Sequence, residues 1–201
     1  MSLFRKHRDL APEIARRIPP GQTLTEKWPV LHYGPVPRFD PKTWDFRVFG
    51  NIEKALRMSW DEFQNLPRAR HTADMHCVTT WSKLDQMWEG IPFKAIVDLA
   101  KPRPDTAFVI AHSEHGFTTN VPLEDCLKPN VLLATHANGA ELTPDHGHPL
   151  RLVVPHLYAW KSAKWLRGIE FSTVDKPGFW ERNGYHNRGD PWREERYWGD
   201  G

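Results

Sequence analysis

Residues 145–166 read DHGHPLRLVVPHLYAWKSAKWL, and they decide how the rest of the chain is read. A polar turn, Asp145-His146-Gly147-His148-Pro149, runs into the apolar strand RLVVP (151–155), which begins with a charge. A second loop, Tyr158 to Lys164, carries two lysines and Ser162. Arg151 and Lys164, brought together by two loops, can cradle a phosphate. Arginine offers a bidentate fork and lysine a point charge, and Ser162 with the loop amides completes the set. The same residues also fit a solvated basic loop, and spacing alone does not separate the two.

A second stretch with chemistry is ADMHCVTTWS (73–82), which holds Cys77, one of two cysteines in the chain. Four readings stand for Cys77: a buried small hydrophobe, half of a disulfide, a nucleophile, or a thiolate ligand to a metal whose other ligands come from a cofactor. His76 is next in sequence, but adjacent side chains on a strand point to opposite faces. The other cysteine, Cys126, is 49 positions away. His112 with His115 and His146 with His148 have H-x-x-H and H-x-H spacing. No second close cysteine and no H-E-x-x-H helix accompanies them, so a zinc site is a weak reading beside ordinary hydrogen-bonded histidines.

The remaining pattern is strand-rich. WDFRVFG (44–50) alternates as a half-buried strand, AFVIAHS (107–113) is a buried strand, and RLVVP and IEFSTV (169–174) are further strands. VLLATHANGAEL predicts a hairpin turning at Asn138-Gly139. Ser59 and Glu62 have capping-box spacing, so a short helix is expected to start at Ser59 and stop before Pro67. IPFKAIVDLAKP and PLEDCLKP predict two more short helices, the second containing Cys126, and the segment around Cys77 reads as strand passing into loop. The expected class is α+β, strand-rich with short helices. Its organisation is an N-terminal arm (1–20) followed by one domain (21–201), whose last part (176–201) is a tail rich in aromatics and arginine.

Composition narrows the function classes. With 18 prolines, long helices are not expected, and 10 tryptophans imply a dense core, an aromatic-lined pocket or both. A formal charge of +2 does not mark a nucleic-acid protein, and no run of 18 apolar residues marks a membrane span. Arg16-Arg17 is followed by IPPGQTLTEKW, without an apolar signal region, so the expectation is a cytoplasmic protein whose cysteines are reduced.

The block 145–166 closely resembles the pattern D-H-G-x-P-[LV]-R-[LV]-[VI]-V-P-x-x-x-x-x-[KR]-x-x-K-W of the sulfite oxidase superfamily molybdopterin-binding domain. HCVTTWS resembles that family's metal-cysteine segment, and LHYGPVP (31–37) resembles its R-N-H-G-P-V-P motif. The three motifs fall in family order across roughly residues 30 to 175. The resemblance implies the family fold and one molybdopterin without a nucleotide. Cys77 is then the sole protein ligand to molybdenum. Arg151 and Lys164 bind the terminal phosphate, with Ser162 and Ala163 giving backbone contacts. His146 contacts the pterin, His32 and Tyr33 approach the pterin or the metal, and His112 falls near a further pterin contact.

Departures from the pattern bear on the reaction. The family's sulfite oxidases follow the metal cysteine with an arginine-bearing run, where this chain has Val78-Thr79-Thr80-Trp81-Ser82. Thr135 replaces the tyrosine of L-A-Y-x-x-N-G, and Leu31 replaces the arginine of R-N-H-G. The C-V-x-x-W-S form resembles the bacterial branch that includes the methionine-sulfoxide reductase catalytic subunit. The implied activity is oxygen-atom transfer on a small molecule, with S-oxide or N-oxide reduction favoured over sulfite oxidation. Because the chain shows no haem or iron–sulfur motif, a separate electron-transfer partner is implied. Two further readings stay open: a molybdopterin-binding protein without turnover, and a histidine-rich zinc hydrolase. In the tail, Trp180, Tyr185 and Trp192 either close over the site or pin a long loop.

Overall fold

The computed structural model describes residues 4–200; residues 1–3 of the expected N-terminal arm lie outside them. The α+β, strand-rich class is observed. Among the described residues the strands form two sheets. The first holds β1 (Phe4–Lys6), β2 (Thr23–Thr25), β5 (Ala69–His76), β6 (Trp81–Pro92), β9 (Leu132–Ala137), β10 (Ala140–Glu141) and β11 (Arg151–Val153). The second runs in the order β4 (Leu56–Ser59), β3 (Asp45–Gly50), β12 (Leu166–Ser172), β7 (Phe108–Ser113), β8 (Thr118–Pro122).

The long strand β6 organises the first sheet. One edge pairs antiparallel with β5, from Ala69↔Gly90 to His76↔Ser82. The other edge takes β2, parallel, at Trp81 and Ser82, and β9, antiparallel, from Trp88 to Pro92. Gly90 is required at that join, because a Cβ there would stand 2.1 Å from the Leu133 carbonyl oxygen. The hairpin at Asn138-Gly139 forms as the sequence predicts, with φ of 52° and 83° at the two turn residues. The strand read at 169–174 starts earlier, at Leu166, and ends at Ser172.

The helices are short. They are α1 (Pro12–Ala15), α2 (Trp60–Gln64), α3 (Phe93–Ala100), α4 (Leu123–Cys126) and α5 (Phe179–Arg182). At α2 the capping box is complete: Glu62 N–H donates to Ser59 Oγ and Ser59 N–H to Glu62 Oε2. α3 ends where Lys101 adopts a left-handed φ of 50° just before Pro102.

At β9 and β11 the first sheet is buried on both faces, which explains the unbroken apolar run Val131-Leu132-Leu133-Ala134. Alternation sends Leu133, Ile91 and Leu152 into the core between the sheets, with Phe46, Val48, Ile96, Ile169 and Phe171. It sends Leu132, Ala134, Trp88 and Val153 to a second cluster on the other face, with Met75, Cys77, Trp81, Tyr158 and Trp160. Each fully buried aliphatic or aromatic side chain contributes about 1.5–3 kcal/mol, so both faces carry substantial stabilisation. The same alternation puts Arg151 on the face of the second cluster, where its guanidinium lies 5.3 Å over the Trp88 ring.

Two flanking segments tie onto this frame. β1 pairs with β2, and Arg17 meets Asp74 and Asp85, each at 2.6 Å. The tail is anchored by a fully buried ion pair, Lys161 Nζ to Glu181 Oε1 at 2.6 Å. Thr119 and the Trp160 indole also donate to that carboxylate.

Candidate active site

Over the outer face of the first sheet lies a cavity of about 280 Å³. Its walls come from distant parts of the chain: Trp28 to Tyr33, Met75 to Trp81, His146 to Lys164, and Trp180 with Tyr185 from the tail. Cys77 and Arg151 both open onto it, so the two stretches singled out in the sequence meet in space.

Cys77 heads the connection between β5 and β6 and is 8% exposed. Its N–H donates to Trp81 O at 2.9 Å, and its carbonyl accepts from Thr80 N at 3.0 Å and from Gln22 Nε2 at 3.0 Å. Burial pushes the thiol up, while hydrogen bonds from Thr79, the charge of Lys164 and the Val78 amide oppose that shift. His76 points away from it, to Ser82 Oγ at 2.8 Å, and burial pushes that imidazole down to about 4. A Cys77–His76 nucleophile pair is therefore not formed. Both cysteines are free thiols, and Cys126 is wholly buried with its thiol pushed up, first by burial and then by the Asp125 charge.

Arg151 and Lys164 line the same cavity. Arg151 is 1% exposed. Its Nη1 donates to His146 O at 3.0 Å and its Nη2 to Ser162 O at 2.9 Å, leaving Nε unpaired. Among the described residues no carboxylate faces it, and burial alone pulls its pKa down to about 9. Lys164 is lowered to about 7, first by burial and then by Arg151 beside it. Lys164 Nζ donates to Asp145 O at 2.7 Å. Gly147 makes this crowding possible. Its φ is +112°, and a Cβ there would lie 3.2 Å from the Cβ atoms of both Arg151 and Lys164. A buried cation beside a second cation, with a donor unused, is the chemistry of an anion site.

His146 stacks on Trp28, ring centroids 3.8 Å apart. Its Nε2–H donates to Trp28 O at 3.3 Å and its Nδ1 accepts from Thr143 Oγ1 at 2.8 Å. Burial is the main cause of its lowered pKa. His32 donates from Nδ1 to Gly34 O at 3.0 Å and lies edge-on to Trp165. Tyr33, 57% exposed, packs on Phe179 and marks the open side of the cavity. Ser162 and Ala163 also line it, and Ser162 Oγ accepts from Val154 N.

His112 is not brought to this cavity, contrary to the expectation that placed it near the pterin. On β7 it shares the outer face of the second sheet with Ile110, opposite Val109 and Ala111, which point into the core. There its Nε2 meets Glu170 Oε2 at 3.0 Å and its ring lies by Phe49. Thr135 is likewise outside the lining, bonded to Arg68 and His136. Among the described residues no three His, Cys, Asp or Glu side chains converge as a metal site, so the four histidines of the zinc reading are dispersed. No described helix is long and apolar enough to cross a membrane.

Several lining residues were not singled out from the sequence, among them Trp28, Glu114 and Phe117, and Thr79 was read only as part of the run after Cys77. Thr79 Oγ1 lies 3.1 Å from Cys77 Sγ. For the tail, both readings contain part of the answer. Trp180 and Tyr185 line the cavity, while Trp192 stands half exposed against His76.

Comparison with known proteins agrees with this geometry. The family described as oxidoreductase molybdopterin binding domain matches residues 33–180. The chain is 49% identical over 182 residues to the oxidoreductase YuiH of Bacillus subtilis (strain 168), covering 90% of this chain and 92% of that protein. It is 27% identical over 160 residues to the protein-methionine-sulfoxide reductase catalytic subunit MsrP of Campylobacter jejuni, covering 71% of this chain and 54% of MsrP. The fold matches the sulfane dehydrogenase SoxCD from Paracoccus pantotrophus with a TM-score of 0.68 at 20% identity, over 84% of this chain and 48% of that one. The chain is an oxidoreductase and belongs to the molybdopterin-binding domain family of the sulfite oxidase superfamily, whose members work with a molybdenum cofactor.

Proposed function

We propose that the cavity binds a nucleotide-free molybdopterin with Cys77 as the protein ligand to molybdenum, and that the enzyme reduces a small neutral S-oxide or N-oxide. The observation that carries this reading is the pairing, in one cavity, of a buried thiol with a buried guanidinium that no carboxylate among the described residues partners. The residues present fit the group. Arg151 has an unused Nε, Lys164 is a second cation beside it, and Gly147 keeps the space between their stems clear.

Arg151 and Lys164 would hold the terminal phosphate, and its negative charge would offset the cost of burying the guanidinium. Ser162 and Ala163 would contribute backbone contacts, and His146, His32 and Tyr33 would flank the pterin. Cys77 would bind as the thiolate, a donor suited to a high-valent metal. When bound, the cofactor supplies a centre that exchanges an oxygen atom and two electrons with a substrate. The tryptophans and Tyr185 of the lining shield that exchange from bulk water.

The substrate class follows from charge. Among the described residues Arg151 and Lys164 are the only Lys or Arg side chains on the lining, and both are assigned to the phosphate. No further cation is left there to gather an anion such as sulfite, whereas aromatic walls suit a neutral thioether S-oxide. The reaction balances as S-oxide plus two electrons and two protons giving thioether and water. The electrons would come singly from a separate haem or flavin protein. Turnover of molybdenum-loaded enzyme, reduced with dithionite and offered S-oxides, N-oxides and nitrate, tests this, with sulfite and ferricyanide for the reverse direction. Reoxidation by S-oxides or N-oxides is the expected result. Turnover of sulfite alone would overturn the substrate class.

A further inference from the structure

The connection 77–80 sets a hydroxyl against the sulfur on which the proposed site depends. Thr79 Oγ1 lies 3.1 Å from Cys77 Sγ, within range of an O–H···S hydrogen bond. The backbone around this contact is fixed from outside the loop. Gln22 Nε2 holds the Cys77 carbonyl at 3.0 Å, and Arg196 Nη1, from the tail, holds the Val78 carbonyl at 2.8 Å. Thr80, with a φ of 70°, completes the turn. Cys77 is only 8% exposed, so water supplies few donors, and the threonine hydroxyl is the foremost of the donors the chain gives the sulfur, ahead of the Thr79 and Val78 amides.

Hydrogen bonds to a coordinating sulfur withdraw charge from it and raise the potential of the metal it binds. We infer that Thr79 is a positioning residue that tunes this centre: its hydroxyl donates to the Cys77 thiolate and reduces the charge the sulfur gives to bound molybdenum. The inference rests on the reading of Cys77 as the metal ligand. It predicts that a chain without the hydroxyl folds and binds metal but holds it at a lower potential.

The experiment uses molybdenum-loaded wild type and the variants Thr79→Val, Thr79→Ala and Thr79→Ser. The readouts are the molybdenum potential, from the Mo(V) paramagnetic signal in a redox titration, and the sulfur-to-metal charge-transfer band. A hydrogen bond worth about 1.4 kcal/mol corresponds to a tenfold change in the reduced-to-oxidised ratio, or about 59 mV for one electron. Thr79→Val and Thr79→Ala should therefore shift the potential negative by a ratio of about ten and move the band to lower energy. Thr79→Ser should match wild type in both. Unchanged potential and band in Val and Ala would overturn the inference, as would a Ser variant shifted as far as Val. Loss of metal from both Val and Ala while Ser retains it would overturn it too, since the hydroxyl would then hold the site together rather than tune it. Wild type that carries molybdenum without a sulfur charge-transfer band altered by Cys77→Ser would instead refute the ligand reading beneath it.

Discussion

Replacing Arg151 with methionine should have opposite consequences for the pterin-free chain and for cofactor binding. The guanidinium is wholly buried, and burial pulls its pKa well below the ordinary arginine value, to about 9, so keeping it charged at pH 7 costs the native state about 5 kcal/mol. Against that stand two charge-assisted hydrogen bonds, to His146 O and Ser162 O, worth about 1.5–3 kcal/mol each. The two contributions nearly cancel. Arg151→Met should therefore change the stability of the pterin-free chain by no more than about 2 kcal/mol, although truncating a buried, fully paired charge commonly costs about 3–5 kcal/mol. Pterin binding loses a charge-assisted phosphate contact of about 3 kcal/mol, a drop in affinity of more than a hundredfold. Urea unfolding of protein made without pterin synthesis gives the first quantity, and fluorescence of oxidised, released pterin gives the second. The guanidinium stays protonated, so the cost of its burial is a fixed one and the stability difference between wild type and variant should stay level across neutral pH. A variant destabilised by more than about 4 kcal/mol with pterin affinity unchanged would refute the reasoning, because Arg151 would then be a structural cation.

Other outcomes follow from single features. At Asp45, burial opposes ionisation, but hydrogen bonds from Arg47, Arg167 and Arg57 outweigh it and hold the carboxyl at about 2. Asp45→Asn should cost about 2 kcal/mol in urea unfolding at pH 7, and the difference from wild type should shrink as pH falls from about 4 to about 2. Lys161→Met strands Glu181 in the core and should cost about 3–5 kcal/mol, whereas Lys161→Met with Glu181→Leu should recover much of it; a double-mutant cycle on thermal unfolding checks the sign. Gly147→Ala forces a left-handed φ and crowds Arg151 and Lys164, so pterin retention should fall about tenfold or more while the fold, followed by circular dichroism, persists.

Local structure was legible from the sequence wherever short-range chemistry sets it. The Ser59–Glu62 capping box, the Asn138-Gly139 hairpin and the apolar run before it each formed where expected. The site was legible as types of residue: Arg151, Lys164, His146 and Cys77 line one cavity, as the three motifs implied. What escaped depends on pairings between distant segments. Trp28 stacking on His146, Gln22 reaching Cys77 and Arg196 reaching Val78 have no local signature. His112 lies outside the cavity because alternation along β7 turns it, with Ile110, to the outer face of the second sheet, and only the pairing with β12 defines which face that is. The H-x-x-H spacing of His112 and His115 said nothing about which side of the sheet the first would take. The tail offered aromatics without periodicity, so only its anchoring through Glu181 shows why Trp180 and Tyr185 reach the cavity.

The central claim is that Cys77 sulfur binds molybdenum in this cavity. X-ray absorption at the molybdenum edge, on wild type and on Cys77→Ser expressed in the same pterin-competent host, tests it most directly. Both proteins should carry molybdenum and pterin, with one sulfur ligand fewer in the variant and turnover lost. An equal number of sulfur ligands in the two proteins, or full turnover by Cys77→Ser, would contradict it.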